Sequence, residues 1–252
     1  MAKQGGMGDA LYIDEFDVSG DIASLGRISG SMTVQDITDI TKSAVARLGL
    51  IHDGGIDLTA LWNPTEAGTL NSEHDVLKGR PVTDRYISYF RSTVLGAPAA
   101  SLISKQVNYD ANRNNDGSLL FNTSAESNGY GLAWGNNLTA GKQTDTVAAN
   151  GGTVDLGSSP TSFSFGWAAY LHVFAFTGTS VTVTLQDSAN GSAWTNLSGG
   201  AFTAATAAGK QRLASSSSTA TVRRFMRVVT SGTFSSAVFA VNFIRYEATG
   251  HP

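Results

Sequence analysis

The 252-residue sequence contains no cysteine. That excludes a disulfide framework, a thiolate metal site and a cysteine nucleophile. Charge is scarce as well: 15% of residues are Asp, Glu, Lys or Arg, against roughly 25% in an average globular chain. With 41% hydrophobic residues the chain is too apolar for disorder, and it lacks the periodicity of a long coiled coil. Long apolar runs are missing too. Trp167 to Phe176 is the longest nearly unbroken one, far short of the roughly 20 residues a membrane helix needs. The N-terminus, Met1-Ala-Lys-Gln-Gly-Gly-Met-Gly-Asp9, has no apolar stretch of the secretory kind. The expectation is a soluble product that stays where it is made or leaves by a route needing no signal. No Gly-x-Ser-x-Gly elbow, Walker loop or dinucleotide fingerprint occurs.

What is present is glycine, 28 residues of it, scattered among turns, and an uneven distribution of charge. Residues 1–150 carry 11 basic and 17 acidic residues, net −6; residues 151–252 carry 6 and 3, net +3. Thr144-Asp-Thr-Val-Ala-Ala-Asn-Gly-Gly-Thr153 and Gly157-Ser-Ser-Pro160 have linker composition. These features predict two domains, 1–150 and 151–252. In the second, Ser180–Gln186 alternates, with Val181, Val183 and Leu185 on one face. Ser188-Ala-Asn-Gly191 then reads as a hairpin turn leading to a return strand at Trp194. Phe163–Phe176 and Ala237–Tyr246 are apolar at nearly every position, which suits strands buried on both faces or at a subunit interface. With Ala201–Ala205, Lys210–Ala214 and Thr219–Thr230, about seven short strands emerge, a β-sandwich of immunoglobulin-like size.

The first part reads as mainly β. Strands are predicted at Leu11–Val18, Gly55–Trp62, Arg85–Arg91, Leu102–Tyr109 and Ser118–Ser124. One short helix is predicted from a Thr41 or Ser43 cap through Ala44, Val45 and Leu48 to Gly49. A second carries Ala67, Leu70, His74 and Leu77 and ends at Gly79 and Pro81.

The candidate chemistry is thin. His52-Asp53 and His74-Asp75 have the residue types of a phosphohydrolase metal site, but those enzymes hold their ligands on facing helices, and this chain is mostly strand. His74 fits the apolar face of its helix, and His52 a position before an Asp53-Gly-Gly55 turn. His172 shares a face with Tyr170, Phe174 and Phe176, the setting of a core or interface histidine. Asp14, Glu15, Asp17, Asp21, Asp36 and Asp39 supply enough acids for a glycosidase pair, yet lie close along the chain in strand-and-turn context. Arg223, Arg224 and Arg227 are too few for a nucleic-acid surface and suit a guarded edge strand or an intersubunit patch. Asn137-Leu-Thr139 has the form of a glycosylation sequon, a chance match in a chain without a secretory signal.

Three stretches carry a resemblance: Leu11-Tyr-Ile-Asp-Glu-Phe-Asp-Val-Ser-Gly-Asp-Ile22, Val34-Gln-Asp-Ile-Thr-Asp-Ile-Thr-Lys-Ser43, and Arg47-Leu-Gly-Leu-Ile-His-Asp-Gly-Gly-Ile-Asp-Leu58. Ala97-Pro-Ala-Ala100, Asp116-Gly117, Ser127-Asn-Gly129 and Asn137-Leu-Thr139 follow in the same order. In this order the chain resembles the major tail tube proteins of long-tailed bacteriophages. Its C-terminal part, with Val183-Thr-Leu-Gln-Asp-Ser188, Asn190-Gly191 and Trp194, is similar to the immunoglobulin-like or carbohydrate-module-like sandwich appended to many of them.

The resemblance implies a tail-tube-type β-sandwich able to join a barrel through its neighbours, with one or two short helices. A C-terminal β-sandwich would decorate the outside. It implies a structural virion protein in stacked, hexameric rings that form the conduit for DNA ejection, with no enzymatic activity and no cofactor. The implied partners are copies of itself, a tape-measure protein, and tail-terminator or baseplate proteins. Genomic DNA would pass through the lumen only in transit, and no membrane is involved. The location would be the virion tail, assembled in the host cytoplasm. Residues 31–58 would mediate contacts between subunits or rings, with Asp36, Asp39, Arg47, Asp53 and Asp57 at the interface. An acidic first domain suits a channel that phosphates must not stick to, and ring closure removes free sheet edges. Gln4-Gly-Gly-Met-Gly8 would order as an arm on assembly. The alternatives are a decoration, baseplate or receptor-binding module recognising cell-surface glycans through Trp167, Tyr170 and Trp194, and a glycoside hydrolase on a sandwich scaffold.

Overall fold

The computed structural model describes residues 7–63, 72–80, 82–157 and 162–248. Most of the glycine-rich N-terminal stretch, the first part of the second expected helix and most of Gly157–Pro160 lie outside the described residues. The protein is mainly β. Its helical content among the described residues is a 3-10 turn, Ser19–Asp21, and one short α-helix, Glu73–Leu77.

Two compact units are present, and both are discontinuous in sequence. One comprises segments 7–20, 86–101 and 134–248; the other comprises the described parts of 21–85 and 102–133. The single boundary expected near residue 150 follows a different division. The segment read as a linker is part of a sheet: Gln143–Asp145 pairs with Ala237–Phe239, Asn150 bridges to Val229, and Gly151 N donates to the Val228 carbonyl. Small polar residues suit a linker, but they also suit an edge segment laid along a buried strand.

The first unit is organised by two strands of unusual length, Trp167–Ser188 and Phe225–Arg245. They run antiparallel from Trp167↔Arg245 to Ser188↔Phe225. Near Trp167 both faces are covered. Trp167, Ala169, Leu171 and Val173 point into a core with Val241, Phe239 and Phe243. Ala240, opposite His172 on the partner strand, packs on the other face with Tyr12, Phe90 and Ala99. This is the two-sided burial expected from unbroken apolar runs. Further along, Val181, Val183 and Leu185 are buried, as their alternation requires. The two strands read separately at Phe163–Phe176 and Ser180–Gln186 are one. Register shifts at Val173/Ala175, Thr177/Gly178 and Gly178/Ser180 carry the strand through the glycine. Gly178 holds a φ of 149°, and a Cβ there would lie 2.4 Å from Phe234 Cα. The hairpin at Ser188–Gly191 is present. Asn190 Oδ1 accepts from Ser192 N and Ala193 N, both at 2.9 Å, and Thr195–Ala201 returns along the strand.

A directed polar chain crosses this core. His172 is fully buried; its Nδ1 lies 2.5 Å from the Asp14 carbonyl and its Nε2 2.7 Å from Ser88 Oγ. A carbonyl can only accept, so Nδ1 carries the proton and Nε2 accepts from Ser88. Ser88 Oγ in turn lies 2.6 Å from Ser101 Oγ, which accepts from Asn242 Nδ2 at 2.8 Å. Burial pushes the His172 imidazole down to about 4, against the opposing pull of Asp14. His172 is thus a satisfied core residue.

The second unit is a smaller sheet. Ile22–Asp36 pairs with Arg47–Leu61, which pairs on its other side with Leu119–Ser127. Asp110–Arg113 and the Ser104–Gln106 end of Pro98–Gln106 line up along the far edge of Leu119–Ser127. Alternation places Ile56, Leu58, Ala60 and Trp62 on one face; Ile56, Leu58 and Ala60 are buried, while Trp62, beyond the strand end, is 39% exposed. The helix expected at residues 41–49 is absent. Turn and bend residues occupy 40–44, and Arg47–Leu61 is already strand. Likewise Asp53-Gly-Gly55 is strand rather than turn. The second expected helix is present as Glu73–Leu77, with Ser72 as N-cap, its side chain accepting from Asp75 N.

Candidate assembly surface

Ile22–Asp36 and Arg47–Leu61 form a hairpin whose inner half is fastened to its own unit and whose outer half is bare. At the inner half, Arg27 Nε donates to Asp57 Oδ2 at 2.9 Å, and Nη2 reaches both Asp57 and Glu126. One guanidinium thereby joins three adjacent strands. Asp53 Oδ1 accepts from Ser127 Oγ and Gly54 N, each at 2.7 Å. These bonds, that of Ser127 first, hold its carboxyl below the usual carboxylate range. Gly30 and Gly54 are register partners, and Leu132 crosses over them. A Cβ at Gly54 would sit 2.6 Å from Leu132 Cβ and 2.7 Å from Leu132 N. The glycine pair exists for this close approach, which explains why Gly54-Gly55 is not a turn.

Beyond Gly30 the hairpin is exposed on both faces. Met32, Val34, Ile37, Ile40, Val45, Leu48, Leu50 and Ile51 are all at least 46% exposed. Single exposed apolar residues need no explanation, but a contiguous group marks an interaction surface. The outer edge of Ile22–Asp36 has no strand partner among the described residues, so it offers unpaired backbone groups as well.

The tip is ordered by its own side chains. Asp36 Oδ1 accepts from Thr38 N at 2.8 Å, and Asp39 Oδ1 accepts from Thr41 N at 2.8 Å and from the Thr41 hydroxyl. The tandem Asp-Ile-Thr-Asp-Ile-Thr of residues 36–41 is therefore two successive Asx turns. Thr38 closes the loop, its Oγ1 accepting from Ala46 N at 2.9 Å, while Ile37 N donates to the Ala46 carbonyl. The threonine hydrogen bonds hold both carboxyls below the usual range. Inside the second turn, Ile40 stands fully exposed.

Of the five residues singled out from sequence, Asp36, Asp39 and Arg47 lie in the outer half, with Asp36 and Arg47 in register. Asp57 lies in the inner half and Asp53 one step outside the Gly30–Gly54 pair, and both are bonded within the unit. The apolar members of the surface carry no periodic signal, because alternation reports burial and these residues have none.

Other candidates resolve locally. Among the described residues no three His, Asp or Glu side chains gather as a metal site. His74 packs on the rings of Trp62 and Phe121, with Nδ1 2.9 Å from Tyr109 Oη. Arg223 pairs with Asp187 at 2.5 Å, Arg224 with Asp155 at 2.5 Å, and Arg227 lies over the Trp194 ring at 4.4 Å. Trp167 and Tyr170 are buried, and Asn137 of the sequon is fully buried too.

No protein-family model matches the sequence, and no curated protein matches it. Among solved structures it is similar to a chain of the virion of a native gene transfer agent particle. That match has 12% identity, covers 52% of this chain and 98% of that one, and has a TM-score of 0.39. It is similar to the SPP1 Dit (gp 19.1) protein at 10% identity, covering 94% and 99%, with a TM-score of 0.31. A chain of the phage p2 baseplate in its activated conformation matches at 9% identity, covering 95% and 99%, with a TM-score of 0.32.

Proposed function

We propose that the protein is a structural subunit of a phage tail, joining copies of itself through the Ile22–Leu61 hairpin into stacked, hexameric rings that form the tail tube. The observation that carries this is the outer half of the hairpin: eight exposed apolar side chains on a strand pair with a free edge. A monomer has no use for such a surface, and a second copy supplies both apolar cover and strand pairing. Two of the three stretches that resemble tail tube proteins, 34–43 and 47–58, lie in the strands and tip of this same hairpin.

In this role the protein has no enzymatic activity. Its location is the virion tail, built in the host cytoplasm. Its partners are its own copies, a tape-measure protein, and terminator or baseplate proteins, with DNA passing only in transit. The glycan-binding alternative needs an open aromatic face, and Trp194 presents its ring to Arg227 instead. Electron microscopy and sedimentation of concentrated protein test the proposal. Rings or tubes are expected, and a protein that stays monomeric at high concentration without forming either overturns it.

A further inference from the structure

The base of the hairpin is tied to the short helix through one carboxylate. Asp21, immediately before Ile22–Asp36, accepts from Glu73 N at 2.9 Å and from Asn63 Nδ2 at 2.6 Å. Asn63 lies two residues past the end of Arg47–Leu61. Trp62 meets the His74 ring edge-on at 4.3 Å and stacks on Phe121 at 5.1 Å. The start of the hairpin, its end and the helix therefore converge on Asp21.

Inside this junction lies Glu73, with no exposed surface. Its Oε2 accepts only a long bond, 3.4 Å, from the Tyr109 hydroxyl, and its Oε1 has no partner among the described residues. The same hydroxyl lies 2.9 Å from His74 Nδ1. The titratable and charged groups around the junction are Asp21 on the hairpin, Tyr109 on the segment after Gln106, and His74, Asp75 and Lys78 on or beside the helix. Lys78 pairs with Asp75, and Arg85 donates to the Val76 carbonyl. A buried carboxylate needs several donors or a cation; among the described residues Glu73 has one long hydroxyl and a neighbouring carboxylate.

We propose that Glu73 is a proton-controlled latch on the hairpin: neutral, it closes the junction of helix and hairpin base; ionised beside Asp21, it releases a proton to solvent and loosens that junction. Burial pushes its carboxyl up to about 7, opposed by the Tyr109 hydroxyl and reinforced by Asp21. The latch is therefore fully closed below the ordinary carboxylate range and opens as pH rises through about 7. Its consequence for polymerisation rests on the assembly role proposed above.

The test is a carbon-13 titration of the Glu73 carboxyl in the full chain, with amide exchange of segments 21–25, 58–63 and 73–77 between pH 5.5 and 8.5. The expected midpoint lies near 7, with protection, corrected for intrinsic exchange, falling by up to about tenfold per pH unit between the ordinary carboxylate range and that midpoint and levelling off above it. Glu73→Gln should keep the protection and lose its pH dependence. A midpoint in the ordinary carboxylate range, or an unchanged pH dependence in Glu73→Gln, overturns the latch. Should that variant not fold, Tyr109→Phe decides: losing the donor to the ionised form must move the midpoint upward, and an unmoved midpoint overturns the latch. Sedimentation at pH 6 and pH 8 separates the two proposals. Failure to assemble at either pH defeats the assembly role, while the latch is still read from exchange. Equal assembly at both overturns the latch's hold on the hairpin.

Discussion

In the unit built on Trp167–Ser188 and Phe225–Arg245, apolar side chains are buried on both sides of the strands near Trp167, and the buried His172 has both ring nitrogens bonded. In the unit built on Ile22–Asp36 and Arg47–Leu61, half of the longest hairpin turns its apolar side chains to solvent, and the buried acid has an oxygen without a partner. Charge divides the same way. Segments 21–85 and 102–133 hold 8 basic and 12 acidic residues, net −4; the rest of the chain holds 9 and 8, net +1. In the first unit the stretch of strand from Trp167 to Val173 is buried along its whole length. In the second, the outer half of the hairpin leaves its apolar side chains uncovered.

The largest effect that could break this contrast is on assembly. Ile37→Asp with Ile40→Asp should abolish ring formation in sedimentation and microscopy while leaving the thermal unfolding curve in place, since neither side chain is buried. A large loss of stability instead would mean that the hairpin tip is part of a core.

Two of the buried titratable groups, His172 and Glu73, should give the units opposite responses to pH. His172 is held down to about 4 against an ordinary 6.5, so the unfolded chain takes up the proton first. Stability of the first unit is present above about 6.5 and is lost as pH falls toward 4, by roughly 3 kcal/mol. Glu73, pushed up to about 7, makes the second unit lose stability as pH rises. Exchange resolved by unit across pH 4 to 8 should show the two trends crossing; parallel trends would erase the distinction.

Gly54→Ala brings a Cβ to 2.6 Å from Leu132 Cβ and should destabilise the second unit by about 1–3 kcal/mol in chemical denaturation. The first unit's exchange should be untouched. The smallest effect is reserved for Asp39→Asn. Asparagine keeps the Asx turn and removes the charge, so assembly should be unchanged if the carboxylate serves its own loop. Weakened assembly would show that Asp39 meets a cation on a neighbouring subunit.

This contrast also decides what could be read from the sequence. Alternation at Val181–Leu185 and unbroken apolarity from Trp167 mark strands because burial imposes a pattern, and both are where they were expected. Ile22–Asp36 is invisible to that logic: glycines and serines dilute its inner half, and nothing covers its outer half. Ala44, Val45 and Leu48 have helical spacing by coincidence, since none of them faces a core. The surface at 31–58 was legible only through its resemblance to tail tube proteins. Glu73 was missed because a glutamate in the first turn of a helix ordinarily faces solvent. The spacing of His74 and Leu77 and the stop at Gly79 marked the helix, and nothing marked the burial of the glutamate at its start.

The tandem Asx turns at the hairpin tip bear on how fast a polymer could grow. A docking loop that is flexible in the free subunit must be ordered at each addition, and that entropy slows productive encounters and weakens each contact. Residues 36–41 meet that requirement within the free chain, through bonds from Thr38 and Thr41 to the aspartates before them. Elongation would then follow the collision rate of subunits, first order in their concentration, with no lag for the tip to find its shape.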